Sequence, residues 1–211
     1  MSQGQAVPHK GAWTVAVGLL EDLGPGCERI EIAGSLRRGK AEVHDIELVA
    51  VARTEERPDG LFGTQTVDLL DERLGVLMAE ACIHPRRVES HRADGSVEHQ
   101  TKLGPAFKAL VSPTGIPVDL FIVRPPATWG CIYALRTGPG AWNTELVTRC
   151  KDIGRRVAGG HVERWDGGTW TVVPTPEEAD FFAALGQPWV EPRDRAPGRV
   201  RIQRSLAVPA A

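Results

Sequence analysis

The sequence predicts an α/β (α+β) protein in two parts, and three observations carry that expectation. Mostly apolar or alternating runs at residues 29–33, 46–51 and 116–123 read as strands. Apolar positions recur at helical spacing in residues 12–23 and 67–81. At Arg124-Pro125-Pro126 the character of the chain changes, and two helical stretches and a hairpin signal follow. The boundary is therefore set at 125/126, giving domains of residues 1–125 and 126–211.

In order, Trp13, Ala16, Val17, Leu20 and Leu23 predict a first helix, which Gly24-Pro25-Gly26 ends. The alternation Arg29-Ile30-Glu31-Ile32-Ala33 predicts a half-buried strand leading into Gly34-Ser35 and a basic loop over residues 36–40. A second strand follows over residues 46–51, with Asp45 at its entry. Residues 53–64 read as loop, and Val67, Leu70, Leu74, Leu77, Met78 and Ala81 predict the next helix. Residues 86–123 read as strands, with turns at Ala93-Asp94-Gly95 and Pro113-Thr114-Gly115. Beyond the boundary, helices are expected over residues 127–136 and 141–157. A hairpin is expected at Asp166-Gly167-Gly168 and a short helix ending near Ala184. A Pro-rich segment at residues 187–197 then leads to a frayed tail from Gly198.

Composition excludes several classes. No run approaches the ~20 apolar residues of a membrane span, and the N-terminus has no leader pattern, so a cytoplasmic protein is expected. The four cysteines are widely separated, with no Cys-x-x-Cys pair, and read as reduced, partly buried thiols. His84, His91 and His99 lack zinc-site spacing. A net charge of -2 argues against a general basic coat for nucleic acid, so any such contact is local. Of the tryptophans beyond the boundary, most read as core, and Trp142 is the best candidate to stack on a base.

Chemistry is concentrated in a few positions. Carboxylates at i and i+2 on a strand share a face, and a third on a neighbouring strand can join them. Asp45, Glu47 and Asp119 meet that pattern, and oxygen ligands are what hard divalent cations require. A turn without side-chain obstruction, a hydroxyl and a guanidinium suit phosphate oxygens. Gly34, Ser35 and Arg38 provide those parts. His44 reads as a surface-loop histidine.

The segment Ala33-Gly34-Ser35-Leu36-Arg37-Arg38-Gly39-Lys40, followed by Asp45-Ile46-Glu47, resembles the signature of the DNA polymerase beta-like nucleotidyltransferases, specifically the family X DNA polymerases. Thr137-Gly138 with Asn143 is similar to that family's thumb motif, and Glu191-Pro192-Arg193-Asp194-Arg195 resembles its closing segment, so the likeness covers residues 30–195. The resemblance implies a mixed-sheet palm followed by a small α/β thumb. It implies two Mg2+ ions, replaceable by Mn2+, on Asp45, Glu47 and Asp119, with Asp119 nearest the primer 3′-hydroxyl. Ser35 and Arg38 would hold the β and γ phosphates of a dNTP or NTP. Gly138 and Asn143 would face the nucleotide, and primer-template or gapped DNA would be the partner of a monomer. Lyase and fingers lobes are not expected, which predicts a weak, salt-sensitive grip on DNA.

Five positions depart from the family pattern. Glu47 stands where the polymerases carry Asp, a variant used by small-molecule transferases of the wider superfamily. Leu135-Arg136 replaces two aromatics that pack on the sugar, which predicts weak discrimination between ribose and deoxyribose. Pro117 stands where Arg is common, and Val147 stands where a template-contacting Arg is common, with Arg149 nearby. An acceptor other than DNA (RNA, a protein or a small molecule) is the alternative these departures raise.

Overall fold

A computed structural model describes residues 5–60, 63–91 and 96–203, and the turn expected at Ala93-Asp94-Gly95 lies outside the described residues. The first half runs β1 (Val7–Pro8), α1 (His9–Leu23), β2 (Cys27–Ile32), α2 (Gly34–Arg37), β3 (Glu42–Val43), β4 (Ile46–Ala52), β5 (Thr54–Asp59), β6 (Gly63–Asp68) and α3 (Leu69–Ala79). It continues with β7 (His84–Pro85), β8 (Arg87–His91), β9 (Val97–Thr101), β10 (Phe107–Val111) and β11 (Pro117–Ile122). The remainder is α4 (Trp129–Thr137), α5 (Gly140–Arg149), β12 (Arg155–Ala158), β13 (His161–Trp165), β14 (Trp170–Val173) and α6 (Glu178–Ala184). These form two compact units, Met1–Ile32 with Lys40–Ile122, and Ala33–Gly39 with Val123–Ala211. The Gly-Ser segment thus belongs to the second unit, where chain order alone puts it in the first.

The first unit is built on a five-stranded mixed sheet ordered β2-β4-β11-β10-β7. Its centre is the parallel pair β4 and β11, flanked by antiparallel neighbours. Ile46, Leu48 and Ala50 on β4 and Val118, Leu120 and Ile122 on β11 are all buried. Because successive side chains alternate between faces, those six line one face and leave Glu47 and Asp119 on the other.

Helix α1 buries Ala12, Ala16, Leu19 and Leu23. Its inward stripe is rotated from the expected one, because Trp13 is 43% exposed and lies against the His9 ring at 5.7 Å. Helix α3 buries Leu70, Leu74 and Leu77. Asp68 caps it by accepting a hydrogen bond from the Asp71 N–H at 3.0 Å, satisfying a donor that the first turn leaves open. Residues expected as loop before α3 instead form the antiparallel ribbon of β5 and β6. Thr54, Glu55 and Glu56 are exposed, so this strand has no buried face to impose an alternating pattern.

The second unit packs Cys131, Ala134, Trp142, Leu146, Cys150, Val162, Phe181, Phe182, Leu185 and Val200 into one core. Helix α5 stops at Arg149, short of the expected 157, and a 3-10 turn at Cys150–Ile153 leads into β12. The apolar positions Val157 and Val162 face each other across the β12/β13 register, so what reads as helical continuation is a sheet contact. The expected hairpin is present as β13 and β14. Against expectation, residues 198–203 are anchored: Val200 is fully buried, and the Gln203 N–H donates to Gly186 O at 2.8 Å. All four cysteines are free thiols. Burial pushes the thiols of Cys27 and Cys150 up to about 11 and that of Cys131 to about 12.

Candidate active site

The strand register brings two of the three expected carboxylates side by side. Asp119 on β11 is the direct partner of Glu47 on β4, so the two side chains leave the sheet on the same face of adjacent strands. Asp45 lies one residue before β4 and two from Glu47. All three are partly exposed rather than sealed in the core. They sit near the N-terminal ends of the two parallel strands. Further along the same face Val49 and Phe121 are buried, so the polar part of this face is confined to one end.

The row continues past Asp119. Asp119 pairs with Ala109 on β10, and the Arg86 N–H, one residue after β7, donates to Ala109 O at 2.8 Å. Glu47, Asp119, Ala109 and Arg86 therefore stand in one line across the sheet. The Arg86 guanidinium reaches over Ala109 and forms an ion pair with Asp119, donating from Nη2 to Oδ1. Ala109 permits this because a methyl leaves room for the long side chain above it. Sequence reasoning missed Arg86, whose only signal is its position beside a strand that pairs two places away from β11.

The donor set suits a divalent cation in chemistry and backbone placement, since every contributed ligand is a carboxylate oxygen at one end of the two central strands. Among the described residues no three His, Cys, Asp or Glu side chains converge as they stand into a metal cage.

In the second unit, Gly34 and Ser35 open the single helical turn α2 and Arg38 caps its end, so Leu36 and Arg37, expected as loop, are helical. Gly34 opens it at φ 64°, a left-handed conformation that side chains disfavour. The turn is held by its two arginines. Arg37 grips Glu178 with both Nη atoms at 2.8 Å, donates to Thr137 Oγ1 at 2.7 Å and lies 4.0 Å from the centre of the Tyr133 ring. Arg38 donates to Thr137 O at 2.6 Å, which engages one of its nitrogens with the end of α4. Glu178, at the start of α6, is also 2.9 Å from the buried guanidinium of Arg195. Burial alone would raise the Glu178 carboxyl, but the hydrogen bonds from Arg37 and the charges of Arg195 and Arg37 outweigh it and hold it below the ordinary glutamate value.

Gly138 lies in the tight turn joining α4 and α5, and Asn143 in the first turn of α5. Asn143 Nδ2 donates to Leu135 O at 2.6 Å and Gly138 O at 3.1 Å, satisfying carbonyls that the end of α4 leaves open. A Cβ at position 138 would collide with Asn143 Oδ1 and crowd the Trp142 ring, so the close approach that demands glycine is to the protein itself. Gly138→Ala is expected to lower stability by ~1–3 kcal/mol through this overpacking, measured by urea denaturation. Trp142, the expected stacking residue, is fully buried against Phe182 and has no face open to a base.

Residues 133–196, wholly within the second unit, match the family model described as DNA polymerase beta thumb. A search of curated proteins found no match. Among the described residues no helix is long and apolar enough to cross a membrane. Over residues 133–196, which include Gly138, Asn143, Glu178 and Arg195, the second unit is thus similar to the thumb domain of DNA polymerase beta.

Proposed function

We propose that the chain is a metal-dependent nucleotidyltransferase, a family X-like DNA polymerase that adds a nucleotide from a dNTP or NTP to a DNA 3′-hydroxyl and releases pyrophosphate. The observation that carries this reading is the pairing of Glu47 with Asp119 on adjacent parallel strands, with Asp45 two residues from Glu47. The thumb match supports DNA as the partner.

In this reading Asp45, Glu47 and Asp119 hold two Mg2+ ions, with Mn2+ as a substitute. Bound there, the ions supply Lewis-acid stabilisation of the phosphoryl oxygens and lower the pKa of the attacking hydroxyl. Asp119 orients the primer 3′-hydroxyl and takes its proton. Ser35 and Arg38 bond to the β and γ phosphates. Gly138 and Asn143 face the sugar or base. For Asn143 to donate to the nucleotide, its bond to Gly138 O, the longer of its two, is the one to be exchanged. The second unit contacts the DNA, and the protein works as a monomer.

A different acceptor (RNA, a protein or a small molecule) is favoured by Glu47 and by Leu135-Arg136. The test is incorporation of labelled dNTPs and NTPs into single-stranded, recessed and one-nucleotide-gapped DNA with Mg2+ or Mn2+, beside Asp45→Ala. Template-following extension that disappears in the variant is expected. No extension on any DNA, with triphosphate binding that still needs metal, would transfer the reading to another acceptor.

A further inference from the structure

A carboxylate cluster at the partly exposed end of two adjacent strands has an electrostatic cost, because like charges on neighbouring strands repel. Here one of those charges is already answered from within the chain. Arg86 sits at the far end of the row Glu47, Asp119, Ala109 and spans Ala109 to reach Asp119. Three features make the contact informative. The arginine arrives from the strand edge on the far side of β10, so only a small residue at 109 allows it to cross, and Ala109 is that residue. The contact is single-pointed: one Nη meets one Oδ, and among the described residues Arg86 Nε has no hydrogen-bond partner. Both side chains also retain exposure, 27% for Arg86 and 22% for Asp119, so the pair can open without disrupting the core.

We propose that Arg86 is an internal counter-cation of the carboxylate site, acting on Asp119. It holds Asp119 when the site is empty and competes with divalent cations for that residue's Oδ1. Arg86 is thus a positioning residue that sets the threshold metal concentration for loading. The inference rests on the metal-site reading above. Its physical basis is direct: a positive charge within contact of a ligand opposes the approach of a second positive charge, and occupies a lone pair that a cation would use.

The test is Mn2+ binding to the full chain without DNA or nucleotide, read from the free-ion electron paramagnetic resonance signal, for the wild type, Arg86→Gln and Arg86→Lys. Arg86→Gln is expected to bind Mn2+ about tenfold more tightly. Arg86→Lys keeps the charge but loses the reach and fork geometry, and is expected to show a smaller gain of about twofold to threefold. In the presence of a chelator Arg86→Gln is expected to melt below the wild type, and Mn2+ to reverse the order. Equal or weaker Mn2+ affinity in both variants overturns the role of Arg86 while leaving the metal site standing. Absence of specific Mn2+ binding in all three proteins overturns the metal-site reading, and this inference with it. If Arg86→Gln does not fold, the Arg86→Lys comparison decides alone, with a gain supporting competition and none overturning it.

Discussion

Replacing Asp119 with alanine is expected to lower nucleotide incorporation at least about a thousandfold, equivalent to ~4 kcal/mol of transition-state stabilisation. Affinity for DNA should change less than about twofold, because the domain matched to a polymerase thumb is in the other unit. The size of the effect follows from the position: Asp119 is both a proposed metal ligand and the proposed proton acceptor, beside Glu47 on the neighbouring strand. Alanine would also leave Arg86 without its partner, so a loss of activity could reflect lost folding. Asp119→Asn removes the charge while retaining the shape, and should be as inactive. Parallel denaturation curves separate the two causes, and retention of activity in a folded Asp119→Asn protein would defeat the proposed mechanism. Glu47→Asp should retain activity within about tenfold, since it shortens the ligand without removing it; complete loss would point to a geometry tuned for another acceptor.

The second large effect is expected on stability. Glu178→Ala should destabilise the second unit by ~3–5 kcal/mol, because it leaves the buried Arg195 guanidinium without its counter-charge and releases Arg37 from its two-point grip. Arg195 also lies 4.9 Å from the centre of the Phe182 ring, which fixes it where it cannot escape to water. Urea denaturation of the variant measures the loss directly; a change below about 1 kcal/mol would show that the cluster is dispensable. Glu178 further predicts acid sensitivity. Its folded pKa lies below the ordinary 4.5, so on acidification the unfolded chain takes up that proton first. The stabilisation is present above pH 4.5 and is lost as pH falls through the lower folded value. Glu178→Gln should abolish this portion of the acid dependence, as read from melting curves between pH 3 and 7.

What could be read from the sequence was whatever depends on local spacing. The strand alternation around Glu47 and Asp119 is visible because burial on one face imposes a period of two, and the same parity sends both carboxylates to the opposite face. Leu70, Leu74 and Leu77 in α3, and the hairpin at Asp166-Gly167-Gly168, are legible for the same kind of reason. The β5/β6 ribbon was not, because its exposed polar strands carry no such period. Glycine at 138 was legible as a requirement, but its close approach to the Asn143 amide was not, because that depends on how α5 folds back on the end of α4.

Tertiary structure alone decided which charges meet. Arg86 and Asp119 are 33 residues apart, and Arg37 and Glu178 are 141 apart. No periodicity links such pairs, and each could equally have faced water. Register across β11, β10 and β7 selects Arg86 as the partner of Asp119, and the packing of α2, α4 and α6 selects Glu178 for Arg37. The residue types for the chemistry are thus written in the chain, while which oxygens are already engaged, and by which cations, is settled only when distant strands and helices close upon one another.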